Sequence, residues 1–128
     1  MSKHPLVFVI DDDLLIQKLI KADLKALKMD VMTFGFGEEC LPEMYLKPDL
    51  VILDYIFVGG EKKVLSGFEI LQEIRNINQS VPVIVLSGQD SGNAVLELIK
   101  LGIEEYIIKE EDFISKLRES VLSVVKNF

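Results

Sequence analysis

The sequence predicts an α/β fold, a doubly wound five-stranded parallel sheet with helices on both faces. Five short apolar runs recur along the 128 residues, and segments of helical period lie between them. Three of the runs are apolar almost throughout, which is typical of strands that are covered on both faces. Strands that alternate with helices are joined by right-handed crossovers and therefore run parallel.

The five predicted strands are the five apolar runs. They are 6–10 (LVFVI), 31–34 (VMTF), 50–55 (LVILDY), 81–87 (VPVIVLS) and 105–109 (EYIIK). All are of strand length and too short to span a bilayer, so we expect no membrane segment.

The helices are predicted from apolar stripes of period 3.6. A first helix begins at Asp13, and a second begins at Ser66, which has the spacing of a capping box with Glu69. Pro42 should delay or kink any helix near residues 37–49. A helix after a cap at Ser91 should end at Gly102. The four predicted stripes are Ile16, Leu19, Ile20, Leu24 and Leu27; Ile70, Leu71, Ile74 and Ile77; Val95, Leu98 and Ile99; and Phe113, Leu117, Val121, Val124 and Phe128.

Composition indicates one folded domain over residues 1–128, with no linker and no output domain. The formal charge of −7 and the pI near 4.7 argue against direct nucleic-acid binding, which needs clustered Lys and Arg. A single cysteine, Cys40, excludes an internal disulfide, fits a reducing compartment and is expected to pack on a helix. Without a recognisable signal peptide, we expect a cytoplasmic protein.

Polar residues stand where four of the predicted strands end. Asp11 and Asp12 follow the first strand, Asp54 falls in the third, Ser87 ends the fourth and Lys109 ends the fifth. The carboxyl ends of parallel strands share one edge of the sheet, where ligands bind at the point of strand-order reversal. These groups are therefore predicted to meet there.

Clustered carboxylates need a cation. Two carboxylates about 4 Å apart repel each other by roughly 4 kcal/mol at an effective dielectric near 20. Oxygen ligands without a nearby cysteine or histidine favour a hard divalent ion, and Mg²⁺ is the natural choice beside phosphate chemistry. Asp13 is instead predicted to cap the first helix.

Four motifs in this order resemble the receiver domain of bacterial two-component response regulators of the chemotaxis-regulator kind. They are VIDDD, DLVILDY, VIVLSGQD and LGIEEYIIK. The resemblance covers essentially the whole chain. It implies the flavodoxin-like (βα)5 receiver fold with strand order 2-1-3-4-5, and a signalling module rather than an enzyme.

The resemblance also implies the roles of the acidic residues. Asp54 would accept a phosphoryl group from a sensor histidine kinase or a phosphotransfer protein. Mg²⁺ would be held by Asp54, by Asp12 directly, by Asp11 directly or through water, and by the backbone carbonyl of Ile56.

Three further residues match the family's remaining functional positions. Ser87 would hydrogen-bond one phosphoryl oxygen and Lys109 would pair with another. Tyr106 matches the switch aromatic, which turns inward as Ser87 moves towards the phosphoryl group. A downstream protein partner would then bind, with the 91–128 face as the candidate surface.

Two features depart from the family. The loop after Asp54 is several residues longer than usual over 57–65, and we expect it to affect kinase choice or phosphoryl lifetime. Glu110 replaces the usual proline after Lys109, and a cis bond without proline costs about 2.5–4 kcal/mol, so a trans bond is predicted.

Three alternatives remain beside this reading. A metal-dependent phosphohydrolase would need a second carboxylate two residues after its aspartyl nucleophile, where this chain has Ile56. A flavin-binding module would not place the negative charges of DDD beside the flavin phosphate. The stronger rival is a receiver-like adaptor that binds its partner without phosphorylation.

Overall fold

The computed structural model describes residues 4–55, 66–88 and 92–125, with residues 92–94 described by their backbone alone. The strands are β1 (Leu6–Ile10), β2 (Asp30–Phe34), β3 (Leu50–Asp54), β4 (Val83–Ser87) and β5 (Glu105–Ile108). The helices are α1 (Leu14–Ala26), α2 (Gly37–Cys40), the 3₁₀ helix Leu41–Leu46, α3 (Gly67–Ile77), α4 (Gly92–Lys100) and α5 (Phe113–Val125).

The strands form one parallel sheet in the order β2-β1-β3-β4-β5, which confirms the predicted fold. Every residue of β3 and β4 is buried, as expected for inner strands covered on both faces. Alternate residues enter two cores. Phe8 and Val51 pack with α3 on one face, whereas Val7 and Ile52 pack with α1 and α5 on the other.

Two helix starts follow the sequence prediction. The Asp13 carboxylate accepts hydrogen bonds from the backbone N–H groups of Leu15 (2.9 Å) and Ile16 (3.2 Å) at the start of α1. At α3, the N–H of Glu69 donates to the Ser66 hydroxyl (3.2 Å) while the N–H of Ser66 donates to the Glu69 carboxylate (2.9 Å). These caps satisfy backbone donors that the first helical turn leaves unpaired.

The proline also acts as predicted. Helix α2 ends after one turn at Cys40, and the chain continues as a 3₁₀ helix with Pro42 in its first turn. Cys40 is fully buried, and burial, with the charge of Glu43, raises the pKa of its thiol to about 12. Its role is therefore packing.

The predicted apolar stripes were too wide in three helices. Leu19, Ile77 and Ile99 were expected on the core side, but they are 47%, 54% and 58% exposed. Each lies at the margin of its stripe, where a side chain of suitable period faces no neighbouring element. The predicted cap Ser91 and the stripe residue Phe128 lie outside the described residues.

Across the described helices, none has the length and apolar character that crossing a bilayer requires.

Arg75 of α3 joins two segments that follow it in sequence. Its Nε donates to the carbonyl of Leu101 (2.9 Å), and Nη2 donates to that of Gly102 (2.8 Å). Its Nη1 donates to the carbonyls of Asn78 (3.3 Å) and Val81 (2.8 Å). One guanidinium thus satisfies carbonyls before β4 and after α4.

Replacing Arg75 is expected to destabilise the domain. Arg75→Met should lower the free energy of unfolding by about 1–3 kcal/mol, because it leaves partly buried carbonyls without a donor. Urea unfolding measures the loss, and Arg75→Lys, which keeps the charge but not the planar fork, should recover only part of it. Equal stability of Arg75→Met and the wild type would contradict this role.

Candidate functional site

The strand ends bring the predicted polar residues to one rim of the sheet. Asp11 directly follows β1, Asp54 is the last residue of β3, Ser87 is the last of β4 and Lys109 directly follows β5. Asp11, Asp54 and Ser87 are almost completely buried, with relative exposures of 0%, 3% and 1%. Polar groups with so little access to water require partners within the protein.

The side-chain ammonium of Lys109 contacts two of the carboxylates. Its ammonium lies 2.8 Å from Oδ2 of Asp11 and 3.3 Å from Oδ1 of Asp54. Burial, the largest single influence, lowers the pKa of Lys109, but the hydrogen bond to Asp11 and the charges of Asp54 and Asp11 together raise it above its ordinary value. The side chain is therefore a fixed positive charge at neutral pH.

Asp11 is oriented by the first turn of α1. Its Oδ1 accepts a hydrogen bond from the backbone N–H of Asp13 (2.9 Å), while Oδ2 meets Lys109. The side-chain amide of Gln17 donates to the backbone carbonyl of Asp11. Gln17 is buried, and sequence reasoning missed it, although a polar residue between Ile16 and Ile20 on an apolar helix face was a usable signal.

The carboxylates form a candidate metal site. Asp11, Asp12 and Asp54 each offer an oxygen, and these three oxygens all lie within 4.8 Å of one another. Ligand oxygens of one Mg²⁺ are separated by about 3–4 Å, so small rotations would close the set. Three carboxylates and the Lys109 ammonium leave a formal charge of −2, which a divalent cation balances. The oxygen donors and the charge both fit Mg²⁺.

Ser87 and Tyr106 lie on neighbouring strands beside this cluster. Ser87 is paired in register with Ile108, and Tyr106 with Val85. Tyr106 is half-buried and packs against the same core as Tyr55. Burial, followed by the proximity of Tyr106 and Glu97, raises the pKa of the Tyr55 hydroxyl. Tyr106 therefore packs against the core that α3 and α4 share.

The peptide bond after Lys109 is trans, which confirms the prediction made from Glu110. The N–H of Lys109 donates to the carbonyl of Ser87 (2.7 Å), and that of Glu110 donates to the carbonyl of Ile108 (2.7 Å). These bonds hold Lys109 beside β4 without a proline. The remaining predicted ligand, the carbonyl of Ile56, and the loop 57–65 lie outside the described residues.

The start of α3 packs tightly behind the acceptor strand. A Cβ at Gly67 would overlap the backbone of Tyr55, so only glycine permits this approach. The position of Asp54 is thereby supported by β1, β4 and the first turn of α3.

The model of the response regulator receiver domain family matches residues 7–121. The chain belongs to this family. Receiver domains are signalling modules of two-component systems. The chain is 33% identical over 104 residues to the transcriptional regulatory protein QseB of Escherichia coli O157:H7, which covers 80% of this chain and 45% of that protein. It spans less than half the length of such curated relatives.

Solved structures agree with the family assignment. The receiver domain of the Francisella response regulator 1452 is 29% identical, with a TM-score of 0.80 over 97% of this chain and 98% of that chain. The chemotaxis protein CheY4 of Vibrio cholerae, at 20% identity, has a TM-score of 0.79 over 98% of both chains and supports the fold alone. The receiver fold inferred from the sequence motifs is confirmed.

Magnesium is expected to stabilise the domain through the exposed Asp12. At a Mg²⁺ concentration 100-fold above its Kd, the free energy of unfolding should rise by about 2.7 kcal/mol. Asp12→Asn should lose most of this gain, because one ligand charge is removed. Thermal unfolding with and without Mg²⁺ measures the difference.

Asp13→Asn is the matched control for this measurement. It removes the neighbouring carboxylate charge, and asparagine still caps α1. A stabilisation by Mg²⁺ that is equal in Asp12→Asn and the wild type would exclude Asp12 as a ligand.

Proposed function

We propose that the protein is a phosphorylation-switched signalling domain in which Asp54 accepts a phosphoryl group from a sensor histidine kinase or a phosphotransfer protein. The contact of one ammonium, that of Lys109, with both Asp11 and Asp54 in a cluster suited to Mg²⁺ carries this proposal. Phosphoryl transfer needs positioned positive charge more than it needs covalent chemistry from the protein.

The transfer requires little from Asp54 beyond its position. A carboxylate oxygen of Asp54 attacks phosphorus as the bond from phosphorus to the histidine nitrogen breaks, and the product is an acyl phosphate. The Lys109 ammonium, 3.3 Å from Asp54, favours the ionised carboxylate, so no general base is needed. The domain takes part in its own modification and is not an enzyme acting on other substrates.

The metal would be held by Asp11, Asp12, Asp54 and the backbone carbonyl of Ile56. A bound Mg²⁺ supplies neutralisation of the negative charge on the transferred group. Lys109 pairs with one phosphoryl oxygen from the opposite side, and the Ser87 hydroxyl donates a hydrogen bond to another. Each role uses a residue that ends or follows a strand at the rim.

Phosphorylation then becomes a conformational signal through Ser87 and Tyr106. The modification adds nearly two negative charges beside Lys109, which now has a new partner. Movement of Ser87 towards the phosphoryl group opens space for Tyr106, which lies two residues before the register partner of Ser87. The surface formed by residues 91–128 changes shape as a result and is read by a protein partner.

The partner is a protein, with no direct role for nucleic acid or membrane. The formal charge of −7 disfavours phosphate backbones and anionic lipid surfaces. We place the protein in the cytoplasm, where histidine kinases present their phosphohistidine.

Labelling with a small phosphodonor tests the proposal. Incubation with acetyl phosphate and Mg²⁺ is expected to add the mass of one phosphoryl group, and Asp54→Asn should abolish the gain. Intact mass spectrometry measures it, with omission of Mg²⁺ as a second test of the site.

Asp13→Asn is again the matched control, since it retains Asp54 and the metal ligands and should label like the wild type. Absence of labelling in the wild type would favour a receiver-like adaptor that binds its partner without phosphorylation. Release of many phosphates per protein molecule would favour a hydrolase.

A further inference from the structure

A groove runs along the outer edge of β2, between this strand and α1. The side chains that line an opening of about 210 Å³ there are Leu14, Gln17, Lys18, Lys21 and Thr33. We call it the β2 groove. It lies on the flank of α1 opposite to Asp23, which pairs with Arg118 of α5 (2.7 Å). It contains none of the residues that would hold phosphate or metal.

Three lysines form a row along this flank of α1. Lys18, Lys21 and Lys25 are spaced by three and four residues, which places them one above the other on a helix. The row is about 10 Å long at a rise of about 1.5 Å per residue. Lys18 and Lys25 are exposed and Lys21 is half-buried. The flank of α1 beside β2 is therefore basic, although the chain as a whole has a formal charge of −7.

The lysine row has no counter-charge in the described parts of the chain, residues 4–55, 66–88 and 92–125. None of the ion pairs in these ranges includes Lys18, Lys21 or Lys25. The single acid of α1, Asp23, accepts two hydrogen bonds from Arg118 and lies on the other flank. Three ammonium groups are thus available to an anionic ligand.

The free edge of β2 offers backbone groups beside this row. β2 is a terminal strand of the sheet and pairs with β1. Its first and last residues, Asp30 and Phe34, hydrogen-bond to the residues that flank β1, at 2.9 Å and 3.0 Å. Successive residues of a parallel strand direct their N–H and C=O groups to opposite sides, so those of Val31 and Thr33 point to the free edge.

We propose that the β2 groove binds an extended acidic segment of a partner protein, which adds to β2 as a further strand. The main chain of the segment pairs with Val31 and Thr33, and its glutamate or aspartate side chains pair with the lysine row. Alternate side chains of an extended strand lie about 6.6 Å apart. Two acidic residues separated by one position therefore fall within the length of the row.

The neighbouring charges decide which part of the segment is acidic. Asp13 precedes α1 and Asp30 begins β2, so a carboxylate lies at each end of the groove and the lysine row lies between them. The acidic residues of the segment therefore belong at its centre. Leu14, which is 67% exposed, adds an apolar surface beside them.

Other occupants fit the β2 groove less well. A second copy of this chain that paired through β2 with two-fold symmetry would set the two lysine rows against each other, and like charges repel. A nucleic acid or an anionic membrane would meet the lysine row but make no use of the free strand edge. The formal charge of −7 also repels an extended anionic surface.

This inference goes beyond the proposed function and does not depend on it. Binding requires neither Mg²⁺ nor phosphorylation of Asp54, so it is measured on the unmodified full chain without a phosphodonor. Failure of either proposal leaves the other intact.

A peptide titration tests the groove. The probe is an eight-residue peptide that alternates glutamate with threonine, added to ¹⁵N-labelled protein without metal ions. Shifts in the amide resonances of 17–25 and 31–34 are expected, with an affinity that falls as salt is raised. A peptide that alternates lysine with threonine should leave these resonances unchanged.

Charge variants locate the ion pairs. Lys18→Gln combined with Lys21→Gln should weaken binding at least about threefold, as expected for the loss of two exposed ion pairs. The matched control combines Lys47→Gln with Lys100→Gln, at two exposed lysines elsewhere on the surface. It changes the net charge by the same amount and should bind like the wild type.

Hydrogen exchange tests the strand pairing. At saturating peptide, exchange of the amides of Val31 and Thr33 should slow several-fold, because these groups gain acceptors. The amide of Met32 faces β1 and should change little, so it serves as the internal control. A glutamate–threonine peptide with a central proline should bind more weakly, because proline cannot complete the strand pairing.

Three results would overturn the proposal outright. They are shifts confined to other surfaces, equal binding by the Lys18→Gln, Lys21→Gln protein and its control, and unchanged exchange at Val31 and Thr33. Two more would replace the occupant. A dimer that the peptide dissociates, measured by sedimentation velocity, would assign the groove to a second copy. Binding to phosphatidylserine vesicles that the same double substitution abolishes, without peptide-induced shifts, would assign the lysine row to a membrane.

Discussion

The contact of Lys109 with Asp11 and Asp54 is the constraint on which the rest of the structure depends. Lys109 is 98 residues from Asp11 in sequence, so the contact forms only when β1, β3, β4 and β5 align their carboxyl ends. Without this ammonium, two buried carboxylates would face each other with no compensating charge, which is far more costly than an exposed pair. The order of the strands and the charge balance of the site therefore depend on the same contact.

The surrounding structure limits how these charges can relax. Asp13 caps α1 and also donates its N–H to Asp11, so the helix start and the carboxylate orientation are fixed by the same residue. Gln17 holds the carbonyl of Asp11 from the next turn. Because Asp11 is held at both its carboxylate and its carbonyl, we expect the proposed phosphoryl group on Asp54 to be accommodated by β4 and β5, where Ser87 and Tyr106 lie.

Sequence reasoning succeeded where the pattern is periodic or local, or where a parallel sheet brings its strand ends together, and it failed where a side chain binds backbone groups. Apolar runs predicted the strands because inner parallel strands are buried on both faces. The Ser66 cap was predictable because its partner is three residues away. By contrast, Arg75 binds backbone carbonyls, which any residue carries, so no side-chain pattern predicts its partners. Gln17 also binds a carbonyl, and its only signal in the sequence was a polar side chain on an apolar helix face. Leu19 has the period of a core residue, but burial also requires a neighbouring element to cover it.

Strand β5 would link the proposed phosphorylation site to the proposed partner surface, because its side chains alternate between the two faces of the sheet. Tyr106 packs on the α3 side, Ile107 is buried on the α1 and α5 side, and Lys109 continues into the rim. A protein partner that contacts β5 would fix the backbone that carries all three residues. Since coupling between two sites is reciprocal, a partner that prefers the phosphorylated arrangement must stabilise that arrangement by the same free energy. Partner binding and retention of the phosphoryl group would then both depend on the same conformational equilibrium of β5.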